Sequence, residues 1–446
     1  MSQDMMPPLF DLVESQDLDA IDEWLSEHGA LDVAEELARL EPPERAVAFR
    51  LLGKDRALAV FEALDTIHQQ QLLDALADES VNMLFLGLDA DDRARLLDEM
   101  PAKVARRLLA GLPDDARSNT NILLGYPEES AGRVMSPRYV SVRATMTAAD
   151  ALAKVRRAGR RPREVLVLPV TDDQRRLIGV VDLPDVVTAQ SGTPISALIR
   201  PETFSVHVDE DQEVGARLMQ EANLVALPVV DTEDRLVGVL TVDDAMEILE
   251  AEETEDISRA GGVEPLEVPY LDAGVLLLAR KRATWLLILI AAAVLTVNVL
   301  QVFEDTLDAV VTLALFIPLL MGTGGNSGSQ AATVVIRAMA VGEVRFSDLP
   351  RIVRRELFVG MLLGLMLGTV AFPIVTVFFD WRFAIVISST LLGICTWASF
   401  AGGLLPLLAK RVGIDPAVIS APLITTLADA TGLIIYFLIA QAVLGI

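Results

Sequence analysis

LITTLADATGLIIYF, residues 423–437, reads as a membrane helix with one carboxylate, Asp429, near its middle. A charge at a helix centre costs about 2.5–3.5 kcal/mol to insert. Such a group faces a pore or a partner rather than lipid, and no other acid stands deep in an apolar stretch of this chain. A cation path is therefore the first expectation. The competing uses of Asp429 are as a neutral, protonated acid or as a bond to a neighbouring span.

Around it lie five apolar spans, at about 284–303, 309–336, 357–379, 384–408 and 418–446. Each is near or above the ~20 residues a helix needs to cross a bilayer. Arg280, Lys281 and Arg282 precede the first span; Arg345, Arg351, Arg354 and Arg355 separate the second and third; Lys410 and Arg411 separate the fourth and fifth. The opposite loops, EDTLD at 304–308 and DWR at 380–382, share one basic residue. Lys and Arg favour the cytoplasmic side, so the N-terminal half is expected in the cytoplasm and the C-terminus outside the cytoplasmic (inner) membrane. An odd number of spans without an inverted repeat favours a homodimer with a shared axial path over a self-contained one-chain carrier.

The second span continues as GTGGNSGSQAATVV from Gly322. Pro318 is expected to weaken the helix there, and Gly322, Gly324, Gly325 and Gly328 to allow either close helix approach or an unwound backbone. Asn326, Ser329 and Thr333 add side-chain oxygens, as Thr425 and Thr426 do before Asp429. Ser420 and the two threonines also have a plainer use, bonding to their own helix backbone. An acid with amide, hydroxyl and backbone oxygens is a hard-ligand set that suits hydrated Mg²⁺. Oxygen ligands alone leave Ca²⁺ and Mn²⁺ open.

The formal net charge of −26 is uneven: 11 Lys/Arg and 9 Asp/Glu from Arg280 onward, against 26 and 54 before it. An acidic soluble half thus precedes a membrane half. Nucleic acid is a poor partner for such a surface, because phosphates need Lys/Arg to neutralise them; metal cations suit it, and so does plain solvation. Cys395 is the one cysteine, so no intrachain disulfide forms, and His28, His68 and His207 are scattered, without the Cys/His cluster that zinc or copper takes. The N-terminus lacks the pattern of a secretory signal.

Leu40, Leu64, Leu88 and Leu112 lie 24 residues apart, each opening a Pro- or Asp-rich turn and an apolar-periodic helix. A fixed period of this size predicts a helical solenoid. A longer repeat pairs VLVLPVTDDQRRLIGVVDLPDVV with LVALPVVDTEDRLVGVLTVDDAM; Pro169 and Pro228 are 59 apart, as are Gly179 and Gly238. These phrases resemble a tandem pair of cystathionine-β-synthase (CBS) modules, which implies an α/β disc that often binds adenine nucleotides. The second copy keeps the ribose-binding phrase as Thr241 and Asp244, whereas the first has Asp182 where the hydroxyl belongs. From Asp243 to Asp256, eight acids crowd into 14 residues: Asp243, Asp244, Glu247, Glu250, Glu252, Glu253, Glu255 and Asp256. They repel one another unless cations sit among them; the plainer reading is a solvated connector.

In this order, with PLLMGTGGNSGSQAATVVIR and DPAVISAPLITTLADATGLIIYF as the sharpest motifs, the chain resembles the MgtE family of magnesium channels over essentially its whole length. The resemblance implies a multidomain protein: an N-terminal α-helical solenoid (1–130), a CBS pair (131–250), an acidic connecting or plug helix (243–272) and a five-helix transmembrane pore domain (273–446). It implies a homodimer in which Asp429 holds hydrated Mg²⁺, with Gly325, Asn326, Gly328, Ser329 and Thr333 nearby; this chain has Ser329 where members often carry Asn. The matching regulatory acids are Asp211, Glu213, Asp244, Glu247, Glu252, Glu255, Asp256 and Asp415, with Asp89, Asp91 or Asp92 on the solenoid side. ATP or another adenine nucleotide is expected at the CBS pair. The expected activity is Mg²⁺ uptake through a pore that cytosolic Mg²⁺ closes by joining the acidic elements. Two rivals remain: a divalent-cation carrier (Mg²⁺/Co²⁺) coupled to H⁺ or Na⁺, and a nucleotide-sensing membrane receptor. An enzyme is not expected, since the chain has neither a GxxxxGK[ST] loop nor a nucleophile–His arrangement.

Overall fold

Leu40, Leu64, Leu88 and Leu112 are all buried, none more than 5% exposed. The 24-residue repeat forms helix pairs: Pro42–Arg50 with Lys54–Glu62, Thr66–Ala75 with Asp78–Gly87, and Ala90–Asp98 (α1) with Ala102–Gly111. Each pair can bury its apolar face only against its neighbours, and one continuous core runs from Leu9 to Ala116. The computed structural model describes residues 9–15, 17–76, 78–158, 165–266, 268–271 and 273–445. It divides into two units, Met1–Glu250 and Ala251–Ile446.

A second repeat position underlies the leucines. Arg45, Gln69 and Arg93 stand 24 residues apart and are buried. Arg45 donates to the carbonyls of Leu37 (2.8 Å) and Leu40 (2.7 Å). Gln69 donates to Phe61 O (2.8 Å), and Arg93 to Leu88 O (2.6 Å). The last turn of a helix leaves carbonyls without intrahelical donors, and these side chains supply them. Arg117, next in the series, instead pairs with Asp114 at the surface.

The 59-residue repeat forms two hairpins. Val167–Thr171 (β1) pairs antiparallel with Leu177–Asp182 (β2), with Val170 opposite Gly179. Val206–His207 (β3) runs parallel to Ala226–Val230 (β4), which pairs antiparallel with Leu236–Thr241 (β5), with Val229 opposite Gly238. The turn residues Arg175 and Asp234, also 59 apart, take positive φ of 65° and 60°. The two turns clasp: Leu177 N donates to Asp234 O and Leu236 N to Arg175 O, each at 2.9 Å.

Val242–Ala260 (α2) carries the acidic run. The helical part of the expected 243–272 connector ends at Ala260, where Gly262 adopts φ +68°; such a left-handed residue stops a helix at low cost when it is glycine.

Among the described residues four helices are long and apolar enough to cross a membrane: Val275–Val302 (α3), a stretch from Phe346 that includes Leu349–Phe378, Trp381–Arg411, and Ala421–Leu444. The fifth expected span is Ile317–Ala340 (α4), 24 residues long but less apolar because of its Gly-, Asn- and Ser-rich centre. Leu349–Phe378 is α5, Trp381–Arg411 is α6 and Ala421–Leu444 is α7. The first span begins nine residues earlier than expected and takes Arg280, Lys281 and Arg282 into its helix. The second begins later, after a short 3₁₀ segment, Val311–Phe316, which Tyr436 Oη secures by donating to Leu313 O at 2.9 Å.

The unwound backbone allowed for the second span is not found. α4 is continuous, and Pro318 sits in its first two positions, where a missing N–H costs nothing. The glycines serve close approach instead. A Cβ on Gly402 of α6 would fall 2.3 Å from Gly328 O of α4, so neither helix could come as near with a larger residue at 402.

Candidate ion path and regulatory acid clusters

The α4–α7 crossing gathers most of the expected pore residues. A Cβ on Gly325 would lie 2.7 Å from Thr425 Cγ2, and Gly328 meets Ile424. The Ser329 and Thr425 hydroxyls are 3.1 Å apart, and Ser329 also donates to Ala421 O at 3.1 Å. Thr425, Thr426 and Thr333 donate to the carbonyls four residues earlier, as expected of hydroxyls in membrane helices. The Ser420 hydroxyl does not; it is buried without a partner among the described residues. Gly432 packs on Met321, so the helices run antiparallel, and Asp429, one turn beyond Thr425, stands level with Gly322–Gly325. Asp429 is half-buried, and among the described residues its carboxylate has no hydrogen bond or ion pair. Asn326 and Thr333 are exposed on another side of α4 and are not drawn into the Ser329–Thr425 contact. Backbone carbonyls of α4 are engaged in its helix, so the oxygens on offer here are side-chain ones.

Within the soluble unit, α1 packs on the start of α2 through Ala90, Ala94, Ala245 and Ile248. That contact brings Asp91 and Asp92 to Asp243, Asp244 and Glu247. Asp91 is buried, and its Oδ1 has no hydrogen-bond partner. Burial, then the charges of Asp244 and Asp92, hold its carboxyl well above the usual range. Burial likewise raises Asp92. Asp244 is pushed up to about 6, by burial first, although the Thr241 hydroxyl donates to it. Asp89 stands at the N-cap of α1. Among the described residues Arg95 is ion-paired with Glu247 of this cluster, and the Arg93 charge also acts on Asp91 and Asp92. An orphaned buried carboxylate oxygen among hard oxygen donors fits a divalent ion of the Mg²⁺ or Ca²⁺ type. The oxygens are near without converging: among the described residues no three His, Cys, Asp or Glu side chains form a metal cage.

The other expected regulatory acids lie outside this cluster. Arg259 bridges Glu255 and Asp415, at 2.6 Å to the latter, and both acids raise its pKa. Arg217 pairs with Glu213. Asp211 caps the following helix by accepting from Glu213 N at 2.8 Å. Glu252 and Asp256 are half-buried on α2. Reading the acids alone missed Arg95 and Arg259. Arg259 was visible as an i, i+4 partner of Glu255 on a helix; its second bond, to Asp415, spans 156 residues.

At the CBS hairpins, the Thr241 hydroxyl contacts both Asp243, at 2.6 Å, and Asp244. In the first copy Arg200 is ion-paired with Asp182, the residue standing where the hydroxyl belongs.

The known proteins that this chain resembles cover all of these elements. Family models described as "Divalent cation transporter", "MgtE intracellular N domain" and "CBS domain" match residues 317–439, 29–129, and 131–192 with 195–251 respectively. The magnesium transporter MgtE of Thermus thermophilus is 37% identical, with 100% of this chain and 99% of that protein aligned. The one of Enterococcus faecalis is 33% identical over 72% of this chain and 70% of its own length. Among solved structures, the cytosolic domain of the Mg²⁺ channel MgtE in complex with ATP is 33% identical, with a TM-score of 0.50, covering 54% of this chain and 98% of that one. This chain belongs to the MgtE family of magnesium transporters.

Proposed function

We propose that the protein is a Mg²⁺-selective channel for uptake across the cytoplasmic membrane, closed by Mg²⁺ on its soluble side. The observation that carries this reading is Asp429: a carboxylate inside an apolar helix, without a partner among the described residues, level with the glycines of α4. Paired across a homodimer axis, two such acids hold a hydrated divalent ion without gripping it too tightly to release. Ser329 and Thr425 space the helices beneath it. The soluble domains lie in the cytoplasm and the C-terminus outside.

Gating rests on the acids of α1 and α2. Asp91, Asp92, Asp243, Asp244 and Glu247 repel one another, and divalent ions among them offset that repulsion. Asp211, Glu213, Glu252, Glu255, Asp256 and Asp415 extend the sensor. The ion favours the closed form only by binding it more tightly. A shift from 1:99 to 99:1 needs about 5.5 kcal/mol of preference, within reach of several weak sites together. ATP, bound by a relative's cytosolic domain, is assigned to Thr241 and Asp244 of the second CBS copy.

Currents from purified protein in planar bilayers test this. A current that reverses at the Mg²⁺ equilibrium potential and stops when Mg²⁺ rises on the soluble-domain side supports the channel. A reversal that follows the H⁺ or Na⁺ gradient makes it a coupled carrier, and no transport at all leaves a receptor.

A further inference from the structure

One end of the membrane unit carries cations that form no ion pair among the described residues. Arg351, Arg354 and Arg355 lie in the first two turns of α5, and Lys410 and Arg411 end α6; all five are exposed and none forms an ion pair. The neighbouring acids are turned to other uses. Asp348 accepts from Arg345 N at 3.1 Å. Glu356, whose carboxyl feels the Arg355 charge, lies half-buried against Gly403. Glu343 is exposed in the preceding turn. The two basic groups belong to one corner: Ile352 of α5 and Leu407 of α6 share a buried cluster with Val335 and Met339 of α4. The Arg411 guanidinium lies 4.6 Å from the Phe346 ring centroid, which holds it beside the start of α5.

Fixing the orientation of a membrane protein requires positive charge at one end, but not a particular placement. Here the placement is particular. Arg351, Arg355, Phe358, Leu362 and Leu365 follow helical spacing along one stripe of α5. Phe358, Leu362 and Leu365 are 63%, 59% and 57% exposed. Fixed cations therefore stand at the foot of an uncovered apolar strip roughly 10 Å long. An occupant that satisfies both parts has an anionic head and an apolar tail. Free phosphate lacks the tail, and an acidic protein segment has nothing to lay along the strip. The arginine fork matches phosphate oxygens in pairs. We propose that this corner binds the phosphate headgroup of an anionic phospholipid, whose acyl chain lies along Phe358, Leu362 and Leu365. The site is independent of the ion path and of its gating.

Native mass spectrometry of the full-length protein, released from detergent with equal amounts of phosphatidylglycerol and phosphatidylcholine of matched chains, tests it. Wild type retains phosphatidylglycerol by about tenfold over phosphatidylcholine, a modest share of what several basic residues near an anionic headgroup supply. The triple variant Arg351→Gln, Arg354→Gln, Arg411→Gln falls to near parity. Arg354→Gln alone falls part of the way. The matching Lys triple keeps most of the preference, and Arg382→Gln at the other end of α6 keeps all of it. Equal retention of both lipids by wild type overturns the proposal, as does a Gln triple that keeps the preference. Displacement of the lipid by millimolar inorganic phosphate, or by a peptide of residues 243–256, also overturns it, assigning the corner to a free anion or to an acidic protein segment.

Discussion

The Ser329 hydroxyl of α4 lies 3.1 Å from the Thr425 hydroxyl of α7, one turn below Asp429. Together with Gly325, which packs against the Thr425 methyl, this contact sets the level of the intramembrane acid. Its two parts differ in weight. Thr425→Val keeps the shape and leaves Ser329 its bond to Ala421 O, so it should cost under about 1 kcal/mol. Gly325→Val drives a side chain into a helix contact and should cost about 1–3 kcal/mol. Thermal unfolding in detergent ranks the two; an equal loss from both would contradict this division.

Arg45 and Arg93 are buried donors to helix-end carbonyls, whereas Arg117 at the same repeat position is on the surface. Arg45→Leu strands three carbonyls and Arg93→Leu two, and each should lower stability by about 2–4 kcal/mol, given about 1–3 kcal/mol per unsatisfied buried group. Arg117→Leu should stay within about 0.5 kcal/mol, the usual range for surface changes. Urea unfolding of the three variants, followed by the soluble-domain transition, gives the comparison.

Burial pushes the Asp244 carboxyl up to about 6 from an ordinary value of 3.8, and burial raises Asp91 as well. A carboxyl raised on folding binds its proton more tightly in the native state. Its contribution is therefore fully present below pH 3.8 and is lost as pH rises through 6. Asp244→Asn, which keeps an acceptor for Thr241, should stabilise the soluble unit at pH 7 by about 2 kcal/mol in the absence of divalent ions, and by much less at pH 4.5. Melting curves at the two pH values test this. A mutant-minus-wild-type difference independent of pH would refute the raised acid.

Arg259 occupies the space between Glu255 and Asp415 that a cation could otherwise use. Removing it should strengthen divalent binding there, so under the proposed gating Arg259→Gln should stop Mg²⁺ current at a several-fold lower Mg²⁺ concentration than wild type. The half-closing concentration in bilayer recordings measures it; an unchanged or higher value would remove Arg259 from the sensor. The pair is partly exposed, so its direct effect on stability should be at most about 1 kcal/mol.

Both repeats were legible because they are local and periodic. The leucine at each 24-residue step is buried, and the 59-residue step returns the strand pairing and even the left-handed turn residues Arg175 and Asp234. The donors at 45, 69 and 93 share the same period, but as arginine, glutamine and arginine they break the hydrophobic pattern that revealed it. The glycines of α4 allowed two readings, and the choice of continuous helix over unwound backbone depended on α6 and α7 lying close enough to need the space. The acidic run was legible as repulsion, but its answer was not. Arg95 meets Glu247 across 152 residues, a pairing that only the folded chain creates.

Mg²⁺ flux into proteoliposomes carrying Asp429→Ala, compared with wild type and Asp429→Glu at equal reconstitution, tests the central assignment most directly. Loss of nearly all flux in the Ala variant, with partial flux in the Glu variant and unchanged assembly on size exclusion, is the predicted result. Wild-type flux through Asp429→Ala would contradict it.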